Sequence, residues 1–364
     1  MKKKILFAAY SLDIGGIETA LVTLINELSK TNKYEITLVL EKKQGIFLGE
    51  VDKSVNIIEY SPSYNKIKPI AKISNAINRF KFVSKYKNKF DCAISYATYS
   101  LACSFIARNA SKNNALWVHN NYLKFFEDDE NEYIEFFKSL NVNKFSKIVF
   151  VSDESKKDFA NKFTNIKDRM LVCNNLINYE KINQNAQEEV DDFTHRRFTF
   201  LNVGRHDEEQ KKLTRLINSS KILQDKGYEF DIIIVGSGKN TKEYMELVHK
   251  YNLEGKITFL GAKKNPYPYF TKCDCVVLTS EYEGYPVVYV EAMTLNKPII
   301  TTNVSDSLKD VNGKFGLVCQ KEAVSIATAM EEILKNGFVI NQAFNPEEYN
   351  NQIIKTIESI INNT

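Results

Sequence analysis

Apolar and polar positions come in alternating blocks. A short apolar run at 5–10 (Ile-Leu-Phe-Ala-Ala-Tyr) is followed by a stretch with Leu21, Leu24, Ile25 and Leu28 on one face. A second apolar run then occupies Tyr34–Leu40. Unbroken apolar runs read as strands buried on both faces, and spacings of three and four read as helix, so the block predicts a βαβ unit on a parallel sheet. Further strands are expected at 55–60, 90–96, 115–121, 147–152 and 170–173. The polar stretch 179–197 reads as a linker. A second alternation follows, with strands at 198–203, Asp231–Val235, 256–260, 274–278 and 298–302, and a short one within 313–318. A last helix starts at Pro346 and places Ile353, Ile354, Ile357 and Ile360 on one face.

At 364 residues the chain exceeds what one hydrophobic core usually supports. The expected fold is therefore α/β, with two doubly wound Rossmann-like domains facing across a cleft. Their expected extents are 1–180 joined by the final helix at 346–362, and 198–345.

Composition narrows the class. With 43% hydrophobic and 26% charged residues, the chain reads as an ordinary soluble globular protein. A net charge of +4 is too small for a nucleic-acid binder. Six cysteines show neither a CxxC pair nor zinc spacing, and they read as buried thiols of a reducing cytoplasm. The Met1-Lys2-Lys3-Lys4 start with its short apolar run reads as a first strand rather than a leader, and no stretch is long enough to span a bilayer.

One segment departs from this average. Lys66, Lys68, Lys72, Arg79, Lys81, Lys85, Lys87 and Lys89 occur with no acid between Glu59 and Asp91. Ile67, Ile70, Ile73, Ile77 and Phe80 recur among them at helical spacing. Such a helix either lies on an anionic membrane surface or holds a phosphate-bearing lipid, or else it packs its isoleucines on the sheet with its lysines in water.

The candidate chemistry sits at strand ends, where open α/β sheets bind ligands. Glu283, Gly284, Tyr285, Pro286 and Glu291 follow the strand at 274–278, with Pro286 suited to the first turn of a helix. Two carboxylates beside a helix N-terminus suit sugar hydroxyls next to a phosphate. The plainer alternative is a solvated Glu283 and a Glu291 salt-bridged to a neighbouring helix. Gly204-Arg205 follows the strand at 198–203, and Lys211 and Lys212 come soon after. Arginine forks two phosphate oxygens and lysine adds a point charge. Gly236-Ser237-Gly238 closes the next strand, Gly15-Gly16 stands after the first, and His119 stands at the end of the strand at 115–121. Together these describe a site for a nucleotide diphosphate attached to a group rich in hydroxyls. No Asp-x-Asp occurs, so no metal is indicated.

These residues resemble the retaining glycosyltransferases of family 4, which have the GT-B fold. Glu283 and Glu291 match the E-x7-E signature, Gly204-Arg205 with Lys211 is similar to the family's phosphate clamp, and Asp13-Ile14-Gly15-Gly16-Ile17-Glu18 is similar to its N-terminal loop. Asn175-Leu176-Ile177-Asn178 resembles its domain-junction segment. Two departures stand out: the clamp is one residue longer, which makes Lys212 a rival to Lys211, and Leu176 replaces a common glycine.

The resemblance implies a nucleotide-sugar donor, most often UDP-linked, as a substrate, with no cofactor and no metal. Glu291 would bind the ribose and Glu283 the donor sugar. Gly284, Tyr285 and Pro286 would line the pocket, Gly16 would touch the diphosphate, and His119 would sit near the reacting sugar. It also implies a hexose-type sugar transferred to a glycan or lipid-linked acceptor, in bacterial capsule or other surface polysaccharide synthesis. The expected place is the cytoplasm, with peripheral contact at the inner face of the plasma membrane through 66–89. The competing classes are a UDP-sugar epimerase and a non-catalytic GT-B partner subunit. A nicotinamide dehydrogenase is disfavoured because no G-x-G-x-x-G follows the first strand.

Overall fold

The computed structural model describes residues 2–13, 15–63 and 67–363. Met1, Ile14 of the first glycine loop and Lys66 of the basic stretch lie outside them. The chain divides into two units, one of residues 1–177 with 348–364 and one of Asn178–Glu347.

The first unit alternates strand and helix almost throughout. In chain order it runs β1 (Lys3–Ala9), α1 (Gly16–Lys30), β2 (Tyr34–Leu40), β3 (Asn56–Glu59), α2 (Lys68–Tyr86), β4 (Cys92–Ser95) and α3 (Leu101–Ala110). It continues with β5 (Asn114–Val118), α4 (Tyr122–Phe125), α5 (Glu130–Ser139), β6 (Lys147–Phe150), α6 (Asp153–Lys162) and β7 (Met170–Val172). The sheet is parallel in the order β3-β2-β1-β4-β5-β6-β7. Ile5 pairs with both Ile36 and Cys92, so β1 is central and buried on both faces. An aromatic cluster of Tyr133, Phe137, Phe150, Phe159 and Phe163 fills the space under α5 and α6.

The second unit holds α7 (Tyr179–Asn185), β8 (Thr199–Val203), α8 (Leu213–Asp225), β9 (Asp231–Val235), α9 (Thr241–Lys250), β10 (Ile257–Gly261), α10 (Tyr267–Lys272) and β11 (Cys275–Leu278). Then come α11 (Val287–Thr294), β12 (Ile299–Thr302), α12 (Ser307–Asp310), β13 (Gly316–Cys319) and α13 (Ala323–Asn336). Its parallel sheet has the order β10-β9-β8-β11-β12-β13. The Ile-Ile-Ile-Val run of β9 is buried, as a strand covered on both faces requires. Leu213, Leu216, Ile217 and Leu223 of α8 face the sheet at helical spacing. In each sheet the strand order reverses beside the first strand, at β1/β4 and β8/β11, which is the topological switch point where such folds bind ligands.

Two expectations are revised. The stretch 179–197 is no free linker: it begins with α7 and belongs to the second unit. Ile182 of α7 and Ala186 just beyond it are buried, and the rest of the stretch is attached by polar contacts, which is why its composition reads as a linker. Asp192 pairs with Lys263 at 2.6 Å and accepts from the Tyr269 hydroxyl, while Lys272 donates to the carbonyl of Val190. The second revision concerns α2. Its isoleucines do not pack on the sheet: Ile67, Ile70, Ile73, Ile77 and Phe80 are 48 to 74% exposed. The helix is held from another face by Phe82, which contacts the rings of Tyr60, Tyr86 and Phe105, and by Arg79 over Phe105.

The last helix, α14 (Pro346–Asn362), belongs from Glu348 onward to the first unit. Ile353, Ile357, Ile360 and Ile361 are buried there. The Asn350 amide accepts from the N–H of Ile177 at 3.2 Å and donates to the Ile177 carbonyl at 2.7 Å. Among the described residues no helix is long and apolar enough to cross a membrane.

Candidate functional site

Two loops of the second unit, 204–212 after β8 and 279–286 after β11, come together at its switch point. Thr279 holds the first against the second by donating its hydroxyl to the carbonyls of Lys211 at 3.0 Å and Lys212 at 3.1 Å. The Glu281 N–H donates to the Gln210 carbonyl at 2.7 Å. Glu281 in turn is pinned by Arg215 and Lys321. This bracing fixes the backbone from which the charged side chains project.

Glu283 is 6% exposed. Its Oε1 receives Lys211 Nζ at 2.5 Å and the Ser280 hydroxyl at 2.7 Å, and its Oε2 receives Gln210 Nε2 at 3.3 Å. The solvated alternative for Glu283 is therefore wrong. A carboxylate taken out of water needs a counter-charge and hydrogen bonds, and it has both. Lys211 rather than Lys212 makes this pair. Lys212 adopts a left-handed backbone, φ +50°, that turns the chain into α8 and leaves Lys211 as the residue directed at Glu283. Arg205 donates from Nη2 to Gln210 Oε1 at 3.0 Å, so a continuous polar chain runs Arg205–Gln210–Glu283–Lys211.

The glycines permit close approach of these loops. Gly236 has φ +149°, and a Cβ there would lie 1.8 Å from the Gly204 carbonyl oxygen. A side chain at Gly236 would push the β8 and β9 loops apart. Gly284 accepts from the Ser305 hydroxyl at 2.5 Å, and the Tyr285 hydroxyl hydrogen-bonds Asp310. Pro286 lies one position ahead of its expected place. With ψ 118° it is extended and immediately precedes α11, whose first turn carries no side-chain cap.

Glu291 lies within α11 and accepts from the Tyr267 hydroxyl at 3.0 Å rather than forming a salt bridge. Burial pushes its pKa up to about 7, against the opposing effect of the Tyr267 bond. The structure brings Gly204, Arg205, Lys211, Gly236 and Glu283 into one cluster, with Gly284, Tyr285 and Pro286 on the same loop and Glu291 on the helix that follows.

The remaining candidates lie in the first unit. Gly15 and Gly16 open α1 after β1, and no atom lies within 4 Å of where a Gly16 Cβ would be. His119, one residue past the end of β5, is 8% exposed and packs on the rings of Tyr96 and Trp117. Its ring nitrogens are buried, and the group they approach is the Tyr96 backbone. Burial lowers its pKa to about 3, so the ring is neutral at pH 7.

Sequence reasoning missed Gln210 and Tyr267. Both act through partners 73 and 24 residues away, and no local pattern marks such a pair.

Two parallel doubly wound units, with a polar cluster at the second switch point and a C-terminal helix returned to the first unit, define the GT-B class. Residues 183–359 match the family model of glycosyl transferases group 1. The chain carries a domain of that family and is a glycosyltransferase. It is 27% identical over 275 residues to an uncharacterized glycosyltransferase of Methanocaldococcus jannaschii, covering 72% of this chain and 68% of the relative. It is 24% identical over 328 residues to the N-acetylgalactosamine-N,N'-diacetylbacillosaminyl-diphospho-undecaprenol 4-alpha-N-acetylgalactosaminyltransferase of Campylobacter jejuni, covering 85% and 84%. The crystal structure of Anabaena HepE in complex with UDP-glucose superposes with a TM-score of 0.75 at 18% identity, covering 98% of this chain and 100% of that one.

Proposed function

We propose that the protein is a retaining, metal-independent glycosyltransferase acting in bacterial surface polysaccharide or glycoconjugate synthesis. It moves a hexose-type sugar from a nucleotide sugar, in the first instance a UDP-sugar, to a glycan or lipid-linked acceptor. The observation that carries the reading is the cluster of exposed Arg205, half-buried Lys211 and buried Glu283 at the switch point of the second unit. UDP-glucose bound to HepE supports the donor class, and the diphospho-undecaprenol in the name of the Campylobacter relative supports a lipid-linked acceptor.

In this reading Glu283 accepts hydrogen bonds from donor-sugar hydroxyls and Glu291 from the ribose. Gly284, Tyr285 and Pro286 line the pocket, with the uncapped start of α11 facing phosphate. The bond between the sugar's anomeric carbon and the diphosphate oxygen breaks, and the acceptor oxygen bonds to the same face of that carbon. The departing phosphate oxygen takes the acceptor proton. Arg205 and Lys211 offset the charge that grows on the diphosphate, so fixed positive charge rather than a strong base lowers the barrier. From the first unit the reading draws Gly16, whose open backbone suits a diphosphate, Gly15 beside it, over which the Glu18 carboxylate lies, and His119, which is neutral.

A donor screen tests this reading. With UDP-glucose, UDP-galactose and UDP-N-acetylglucosamine offered in turn, wild type is expected to consume one, and Glu283→Gln to consume it about a hundredfold more slowly. If wild type neither binds nor turns over any nucleotide sugar, the reading fails; equal hydrolysis by both proteins would take Glu283 out of the site.

A lipid-linked acceptor calls for a bilayer, and α2 has the composition for one: an exposed apolar stripe on a helix without acids. Each lysine near an anionic surface contributes about 1 kcal/mol. Changing Lys72, Lys81 and Lys85 to Glu is therefore expected to weaken sedimentation with phosphatidylglycerol vesicles by roughly a hundredfold or more. Arg79 is left in place because it packs on Phe105. Unchanged vesicle binding would remove the membrane from this reading.

A further inference from the structure

The clamp of this chain is one residue longer than in the family it resembles, and it holds a glutamine with partners on both sides. Gln210 stands between Arg205 and Lys211 and is 9% exposed. Its side-chain oxygen takes the Arg205 guanidinium at 3.0 Å. Its nitrogen donates to Glu283 Oε2 at 3.3 Å and to the Tyr282 carbonyl at 3.4 Å. Its own N–H donates to Asp207 Oδ1 at 3.3 Å, and its carbonyl accepts from Glu281, so the backbone under it is held from both sides.

The orientation of this amide is forced. A guanidinium can only donate and a carboxylate can only accept, so oxygen must face Arg205 and nitrogen must face Glu283. A neutral amide is also the side chain that serves both neighbours at once. A lysine at 210 would compete with Lys211 for Glu283 and repel Arg205. A glutamate would neutralise Arg205 and repel Glu283. Glutamine joins a cation to an anion without altering the charge of the site, and burial strengthens its bond to Glu283.

We propose that Gln210 is a positioning residue that fixes the guanidinium of Arg205 and the carboxylate of Glu283 as one unit, so that the diphosphate and the donor sugar are gripped in a set relation. The proposal rests on the donor reading given above. Gln210 itself need not touch the donor. Its effect is confined to what Arg205 and Glu283 hold, the outer phosphate and the sugar, and does not extend to the nucleoside.

Calorimetric binding of UDP and UMP to the full chain tests this, because the two ligands differ only in the outer phosphate. Gln210→Met keeps the length of the side chain and removes both hydrogen bonds. It is expected to bind UMP within twofold of wild type and UDP about tenfold more weakly, so the UDP-to-UMP preference collapses. Gln210→Glu, nearly the same shape, serves if the methionine variant does not fold; it is expected to lose at least as much of the preference. A merely structural role would weaken both ligands alike, and that result, or an unchanged preference in a folded variant, overturns the proposal. Wild type that binds no UDP at all would instead bring down the donor reading, and this proposal with it.

Discussion

Lys211→Met is expected to suffer two losses at once: donor turnover falls by about a hundredfold or more, and the fold is destabilised by about 3 kcal/mol. The second loss follows from burial. Glu283 is nearly inaccessible, and among the described residues Lys211 is the cation paired with it, leaving Ser280 and Gln210 as neutral donors when the ammonium is removed. The reverse change is gentler on stability. Glu283→Gln leaves an ammonium whose side chain is still 19% exposed and can reach water. Thermal melts should therefore rank Lys211→Met below Glu283→Gln, while both lose turnover. The double variant should recover most of the stability and none of the activity. Recovery of activity in the double variant would show that the pair serves the fold and not the chemistry.

The second large effect belongs to Glu291. Its pKa is raised from the usual 4.5 to about 7, so the folded state prefers the protonated form. Its contribution to stability is full below about pH 4.5 and is lost as pH rises through 7, a difference of about 3 kcal/mol at most. Glu291→Gln keeps an acceptor for Tyr267 and carries no charge to bury. It is expected to melt higher than wild type at pH 8 and level with it at pH 5. Ribose binding needs the opposite form, the carboxylate that accepts from two hydroxyls. UDP affinity of wild type should then fall about tenfold between pH 8 and pH 6 as the proton competes, beyond whatever loss the glutamine variant shows over the same range. A variant that gained no stability at high pH, or a wild type with the same pH dependence as Glu291→Gln, would refute this.

The alternation of apolar runs and amphipathic stretches made the fold legible. Strands buried on both faces need unbroken apolar sequence, and β2 and β9 coincide with their runs to the residue. Elements attached by polar contacts left no such trace. The stretch after α7 docks through Asp192, Lys263 and Lys272, α7 itself buries only Ile182 with Ala186 just beyond it, and the composition of the whole is that of a linker. The stripe of α2 was visible, but which face packed was not, because Phe82 and its aromatic partners lie off the stripe. At the site, Glu283, Glu291, Arg205 and Lys211 stood out by type and spacing. The hydrogen-bonded pairs they form did not, since Gln210–Glu283 and Tyr267–Glu291 join residues far apart in the chain.

The return of α14 to the first unit gives protein synthesis an unusual order. The stretch 1–177 leaves the ribosome first, yet the surface that takes Ile353, Ile357, Ile360 and Ile361 stays uncovered until everything from Asn178 to Glu347 has been made. The second unit can close its own core while its elder neighbour waits. The unit begun earliest is thus finished last, and premature termination anywhere in the second half leaves the first half unsealed as well.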